Sequence, residues 1–240
     1  MQQEKITAIF DQQAATYDEK WGRLAPINGA LHLLTGSVLS GLPTSARILC
    51  VGAGTGAEIL YLARKFPDWQ FTAVEPSAAM LEVFRCRAEE AGIASRCVFH
   101  CGYLDSLPQD GSFDAATSFL VSQFILDRTD RAGFFHGIAD RLRPEGILVS
   151  SDLAGDISGT GDRPGLLEVW LKVMRGSGTI VDPGEIQQMR EAYTRDVAVL
   201  LPREVGEIIA LGGFDSPLLF FQAGMIHAWH AKRSHGQTDS

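Results

Sequence analysis

The chain has 240 residues, 45% of them apolar and 21% charged, and its 21 Lys and Arg against 29 Asp and Glu leave a net charge of −8. At about 150 residues per average domain this is roughly 1.6 domains of chain. That length can bury a core without disulfides or metals and suits one large α/β domain spanning 1–240. The acidic balance argues against a phosphate backbone as direct partner. No apolar run approaches the roughly 18 residues of a membrane span, and the first residues lack the basic, apolar and small-residue order of a signal peptide. A cytoplasmic protein with no membrane partner is expected.

Arg47–Val51 is apolar after its first residue and reads as a fully buried strand. A helix follows at 58–66 with Ile59, Leu60, Leu62 and Ala63 on one stripe. Next come a strand at 70–75, a helix at 77–91 and a strand at 96–101. A strand at 113–120 leads to a helix near 128–142, and a strand at 147–151 follows the turn Pro144-Glu-Gly146. Such alternation predicts parallel strands with helices on both faces. From 153 the rhythm changes. The stretch 153–165 is rich in Gly, Asp and Ser and reads as a mobile loop, and amphipathic helices follow near 166–175 and 185–199. A helix from Pro202 to Gly212-Gly213 and a hairpin of strands 217–222 and 225–231 across Ala223-Gly224 return to the sheet. Residues 153–200 thus read as a helical insertion over the carboxyl ends of the strands, where open α/β sheets bind ligands. Residues 234–240 read as a polar tail.

The segment Ile48-Leu-Cys-Val-Gly-Ala-Gly-Thr-Gly-Ala-Glu58 carries the strongest signal. Gly52, Gly54 and Gly56 let a ligand approach the backbone closely as the chain leaves the strand. Thr55 and Glu58 have the spacing of a capping box. Glu75 ends the next strand at about the 20-residue offset of a carboxylate that accepts both hydroxyls of a ribose. Gly52, Gly54 and Ala57 also fit the dinucleotide pattern G-x-G-x-x-A, so a nicotinamide- or flavin-dependent oxidoreductase is a rival reading.

Cys50, Cys86, Cys97 and Cys101 fall in strand or helix interiors with no CxxC pair, which predicts buried small hydrophobes rather than a metal or redox site. No Ser/His/Asp set and no HxxxH pair appears. His100, His136 and His227 are scattered, and His32 could face an acceptor pocket. No catalytic base and no metal ligand is assigned.

Beyond the glycine loop, Glu75-Pro-Ser-Ala-Ala-Met-Leu81, Gly102-Tyr-Leu-Asp-Ser-Leu-Pro108, Phe113-Asp-Ala-Ala116, Leu142-Arg-Pro-Glu-Gly-Ile-Leu148 and the closing Gly213-Phe214 hairpin follow one another. In order and spacing they resemble the class I S-adenosylmethionine (SAM)-dependent methyltransferases, from about Phe10 to His230. The resemblance implies a Rossmann-like, doubly wound α/β fold with a seven-stranded sheet, mostly parallel with one antiparallel strand in the C-terminal hairpin. It implies transfer of a methyl group from SAM to a small-molecule acceptor, with S-adenosylhomocysteine as product. The loop of Gly52, Ala53, Gly54 and Gly56 would hold the amino-acid end of SAM, and Glu75 the ribose beside Pro76 and Met80. Tyr103 and Leu104, after Gly102, would flank the adenine. Many members carry Asp at the position of Tyr103, so a bond to the adenine amino group is in doubt and stacking is the alternative. Phe10–Asp18 resembles an amino-terminal helix that closes over the cofactor, making 1–45 a lid with Tyr17 and Trp21 as its contacts; packing on the sheet edge would explain the same pattern. Ser118, Phe119 and Gln123 match the stretch bordering the transferred methyl, although Gln123 also suits a helix start. In the insertion, Trp170, Met174 and Tyr193 would line an apolar or aromatic acceptor pocket, a stripe that also serves as ordinary core.

Residues 185–214 further resemble the carboxy-SAM synthases. There an arginine at the position of Arg190 binds the added carboxylate across a protomer boundary, which would imply a homodimer and a planar fork of donors on a carboxylate. A surface ion pair explains Arg190 equally, and the glycine loop and amino-terminal stretch differ from that group.

Overall fold

The computed structural model describes residues 2–109, 112–158, 165–176 and 180–234. Its centre is β1 (Arg47–Val51), which pairs in parallel with β2 (Gln70–Glu75) on one side and β4 (Phe113–Phe119) on the other. β3 (Cys97–Cys101) extends the sheet beyond β2, and β5 (Leu142–Leu153) extends it beyond β4. β7 (Ile226–Arg233) then pairs antiparallel with β5, and β6 (Phe214–Ala223) antiparallel with β7. The order β3-β2-β1-β4-β5-β7-β6 makes one seven-stranded sheet in which β7 alone runs against its neighbours, as the sequence predicts. The chain reverses its direction of travel between β1 and β4, so a crevice opens at the carboxyl ends of those strands.

Side chains alternate across the sheet. Ile48 and Cys50 point into a core with Ile59, Leu62, Trp69 and Phe84, beneath α3 (Ala25–Val38), α4 (Ala57–Lys65) and α5 (Ala78–Glu90). Leu49 and Val51 point the other way, into a core with Phe135, Ile138, Ile208, Ile209 and Trp229, beneath α6 (Arg128–Ala139) and α9 (Pro202–Leu211). A third apolar cluster lies past the strand ends. There Leu24, Leu153, Leu167, Trp170, Met225 and Ile226 are buried with help from Trp21, Leu120 and Tyr193. It joins α7 (Leu166–Arg175) and α8 (Pro183–Asp196) to the amino-terminal segment, which comprises α1 (Gln2–Gln13), α2 (Tyr17–Lys20) and the start of α3. Among the described residues no helix is long and apolar enough to cross a membrane.

Several local expectations change. The turn at Pro144-Glu-Gly146 is a bulge inside a longer strand, because the β4–β5 register jumps between Phe113 and Ala115 while Leu142 already pairs with Phe113. The Thr55/Glu58 capping box does not form. Gly56 occupies the N-cap of α4, the Thr55 hydroxyl donates to Asp18, and Glu58 turns inward to Thr117. Asp182 and Glu185 instead make a capping box for α8, which starts at Pro183. Of the cysteines only Cys50 is buried. Cys101 ends an edge strand and Cys86 sits on the outer face of α5, so both are exposed. Residues 159–164 of the loop read between 153 and 165, and the tail from 235, fall outside the described residues.

Immediately after β4, Leu120 has φ +58°, a left-handed conformation that costs an L-residue about 1–2 kcal/mol. Its N–H donates to Ser151 O at 2.7 Å, which holds it there. We therefore expect Leu120→Gly to be at least as resistant to urea as Leu120→Ala, reversing the usual order of the two, since glycine alone relieves the backbone. A clear deficit of the glycine variant would remove backbone strain as a factor at this position.

Candidate cofactor and acceptor site

The carboxyl ends of β1 to β4 open into one cavity of about 750 Å³, within the size range of small-molecule sites. Gly52 and Gly54 form its floor. A Cβ on Gly52 would lie 2.2 Å from Val121 Cγ2, and its φ is +73°, so the backbone passes beneath Val121 only because a side chain is missing. At Gly54, with φ +53°, a Cβ would meet nothing within 4 Å, so the peptide is laid open to the cavity. Opposite stands Glu75, whose Oε2 accepts the Gly54 N–H at 2.9 Å and whose Oε1 accepts the Ser77 N–H at 2.8 Å. A carboxylate offers about four acceptor positions, so this group holds two loops and still has lone pairs for a ligand. Burial pushes its pKa up, against the two backbone donors that favour the charged form.

The amino-terminal segment roofs the cavity. Ile6, Thr7, Phe10 and Tyr17 line it, and three polar clasps fasten it to the three cofactor loops. Thr7 and Tyr103 share a hydrogen bond between hydroxyls at 2.9 Å. Asp11 Oδ1 accepts from Ser77 Oγ at 2.6 Å and from the Ala79 N–H at 3.2 Å. Asp18 accepts from Thr55 Oγ1 at 2.8 Å and from Arg87 Nη1 at 2.6 Å. Burial, with the nearby charges of Asp18 and Glu75, pushes the Tyr17 phenol up to about 12, so it remains protonated. The far wall consists of Phe119, Leu120, Val121 and Phe124, and α6 adds Asp130, Phe134 and Gly137.

Of the residues predicted from sequence, Tyr17, Gly52, Gly54, Glu75, Pro76, Met80, Gly102, Tyr103, Leu104 and Phe119 come together on this cavity. Others lie behind it. Ala53 donates its N–H to Val74 O, Gly56 faces the Phe84 ring, and Ser118 is buried in β4. Gln123 is a structural bracket: its Oε1 accepts from Leu153 N at 2.7 Å and its N–H donates to Asp152 at 2.9 Å. Asp152 in turn pairs with Arg131 at 3.0 Å in a fully buried network completed by Ser122. His32 stacks on Phe119 with ring centroids 6.2 Å apart and does not itself line the cavity; burial pulls it down to about 4, leaving it neutral. Trp21 belongs to a second cavity of about 230 Å³, which Met174 also lines. Trp170 is buried and donates to Tyr193 Oη at 3.1 Å, and Arg190 donates to Ile157 O at 2.7 Å and to Gln187 at 2.9 Å. Thus none of the four predicted acceptor residues reaches the large cavity. Sequence reasoning missed Asp11 and Asp18, whose acid-to-hydroxyl partners are far apart in the chain and leave no local pattern.

Comparison with known proteins bears on what the cavity is for. The methyltransferase domain family matches residues 48–146. The ubiquinone/menaquinone biosynthesis C-methyltransferase UbiE of Pseudomonas savastanoi pv. phaseolicola is 32% identical over 155 residues, covering 61% of this chain and 57% of that protein. The malonyl-[acyl-carrier protein] O-methyltransferase of Laribacter hongkongensis is 28% identical over 159 residues, covering 63% and 51%. A putative O-methyltransferase structure from Nostoc punctiforme PCC 73102 superposes with a TM-score of 0.66 at 16% identity, over 94% of this chain and 60% of that one. Residues 48–146 are thus similar to a methyltransferase domain, and the chain shares the fold of the Nostoc structure. It spans about half the length of the two curated relatives named. The stretch matched to the methyltransferase family runs from β1 into the bulge of β5 and so includes Gly52, Gly54, Glu75 and Tyr103. The roof and α7–α8 lie outside it.

Beneath the glycine loop, Glu58 is buried and accepts from Thr117 Oγ1 at 2.5 Å. Burial pushes its carboxyl from 4.5 up to about 7. The folded chain therefore keeps a proton that the unfolded chain has released, so this contribution is complete below about pH 4.5 and lost as pH rises through about 7. The loss amounts to roughly 3 kcal/mol at most. We expect the melting temperature of Glu58→Gln to fall less than that of the wild type between pH 5 and pH 8, measured by calorimetry. Parallel curves would mean that Glu58 is already ionised in the folded state.

Proposed function

We propose that the protein transfers the methyl group of SAM to a small-molecule acceptor, with the large cavity as the SAM site. The observation that carries this is Glu75: a buried carboxylate at the end of β2, fixed by two backbone N–H groups, one of them Gly54 of the glycine loop, on the wall of the cavity. Its unused lone pairs suit a ribose diol. Gly52 and Gly54 leave room for the amino-acid end, and Pro76, Met80, Tyr103 and Leu104 offer apolar faces to a flat base. When bound, SAM supplies an electrophilic methyl on a positively charged sulfur, so the protein's work is alignment and exclusion of water. In this reading Phe119, Leu120 and Val121 border the reacting end, while Phe10 and Tyr17 close the roof. No general base is assigned. An acceptor atom with a free lone pair at neutral pH needs none.

We regard 1–45 as a lid and 153–200 as the acceptor cover of this single domain. Action in the cytoplasm on a small molecule rather than on nucleic acid is part of the same proposal, supported on the second point by the net charge of −8. Arg190, engaged by Ile157 O and Gln187 within its own chain, lends no support to a carboxylated cofactor.

Titration calorimetry with S-adenosylhomocysteine tests the SAM site. Glu75→Ala should weaken binding by about 1.5–3 kcal/mol, roughly ten- to 150-fold in Kd, with NADH giving no heat in either protein. Unchanged affinity in a variant of wild-type melting temperature would move the ribose elsewhere, and tight NADH binding would overturn the reading. Thioether release across a panel of small molecules then identifies the acceptor.

A further inference from the structure

The second cavity, of about 230 Å³, has a composition unlike the first. Its floor is apolar: Leu24 and Leu171 are buried, and Trp21, Met174 and Met189 are half-buried. Its remaining lining is cationic, formed by Lys20, Arg23 and Arg175, all three exposed at the mouth. Three cations around one apolar hole stand out in a chain of net charge −8. Arg175 is answered by Glu185 at 2.5 Å. Among the described residues Lys20 meets only the neutral Gln13 amide oxygen, at 3.1 Å, and lies over the Trp21 ring. Arg23 has no hydrogen-bond or ion-pair partner among the described residues. Its place is nevertheless specific. Its guanidinium lies over the end of α7, where a Cβ on Gly176 (φ +111°) would come within 2.3 Å of Arg23 Nη1.

The two cavities share a wall. The Tyr17 and Trp21 rings stand 6.3 Å apart, and Tyr17 lines the large cavity while Trp21 lines the small one. Leu120, also on the wall of the large cavity, packs into the same apolar cluster as Trp21, Leu24, Met174 and Met189. A molecule seated in the small cavity is therefore separated from the Phe119–Val121 end of the large one by apolar side chains alone, and one of these has the strained left-handed backbone typical of residues at functional sites.

We propose that the small cavity is a second ligand site, beside the methyl-transfer cavity and walled off from it, and that its ligand is an amphipathic organic acid, with its apolar body against Trp21 and its anionic group between Arg23 and Lys20. The site stands whether or not the methyl-transfer reading does, because none of its lining residues belongs to the large cavity. At about 30 Å³ per buried heavy atom the cavity takes seven or eight atoms, the length of a medium alkyl chain or one substituted ring.

Octanoate is the probe, titrated by calorimetry into the full chain saturated with S-adenosylhomocysteine so that the large cavity is filled. Octanoate should bind, and 1-octanol at least about tenfold more weakly, because only the carboxylate gains charge-assisted hydrogen bonds. The double variant Lys20→Glu, Arg23→Glu should lose at least about tenfold in octanoate affinity while keeping wild-type affinity for S-adenosylhomocysteine. Met174→Trp, which fills the cavity without touching its charge, should abolish binding of both probes. Equal binding of octanol and octanoate, unchanged octanoate affinity in the charge-reversed protein, or no octanoate binding at all would each overturn the proposal. If S-adenosylhomocysteine itself fails to bind, the cofactor reading falls instead, and the same octanoate titrations without it still report on the small cavity.

Discussion

The site depends on one carboxylate. Glu75 joins the loop after β1, through the Gly54 N–H, to the start of α5, through the Ser77 N–H. Ser77 then passes the connection outward, since its hydroxyl caps Met80 and donates to Asp11 of the roof. Three segments distant in the chain thus meet in one chain of hydrogen bonds, Asp11 to Ser77 to Glu75 to Gly54. Burying a charged group is tolerated only when such partners replace water. The cost also explains why burial and the backbone donors pull the Glu75 pKa in opposite directions. A ligand that adds hydroxyl donors to the remaining lone pairs would relieve the same desolvation, so the group is arranged to favour an occupied cavity over an empty one.

The opposite wall is held by a second buried charge, with a different consequence. Asp152, at the end of β5, binds Arg131 of α6, Ser122 and the Gln123 N–H, while Gln123 reaches back to Leu153. Removing Arg131 or Asp152 alone would leave an uncompensated buried charge, at a cost of about 3–5 kcal/mol. This network immobilises the segment after β4, in which Leu120 takes its left-handed turn. Rigidity at that wall and clasped closure at the roof divide the cavity into a fixed side and a side that opens only if Thr7, Asp11 and Asp18 release their partners.

Much of this was legible in the residues, and the gaps have physical causes. The buried run 47–51, the glycines after it and Glu75 were readable because each obeys a local rule of burial, backbone freedom or offset. The bulge in β5 was hidden because Pro144-Glu-Gly146 is turn chemistry whether it ends a strand or swells one. Thr55 and Glu58 had the spacing of a cap, yet tertiary partners, Asp18 and Thr117, outcompeted the local bonds. Trp170, Met174 and Tyr193 repeat at helical spacing, and that period is the same for a side chain facing a pocket and one facing core. Only packing separates them: it buries Trp170 against Tyr193 and leaves Met174 on the smaller cavity. Arg190 was readable as a charge but not as one already occupied by a carbonyl of its own chain.

The boundary of family similarity falls at an instructive place. Residues 48–146 hold the glycine loop, Glu75 and the Tyr103 turn, all of which line the large cavity. The roof and α7–α8, which lie outside that stretch, meet in the third apolar cluster and frame the smaller cavity. A scaffold that keeps its cofactor half and replaces its cover can change acceptor without rebuilding the chemistry, because the reactive group arrives with the cofactor. Fold then carries little information about the acceptor, and what distinguishes this protein must be sought in residues that its relatives need not share. Arg23 over Gly176 is such a feature. Gly176 ends α7 with a positive φ while its N–H closes the last turn on Lys172 O, and the Arg23 guanidinium lies over that end, so one residue both stops the helix and leaves room for the cation.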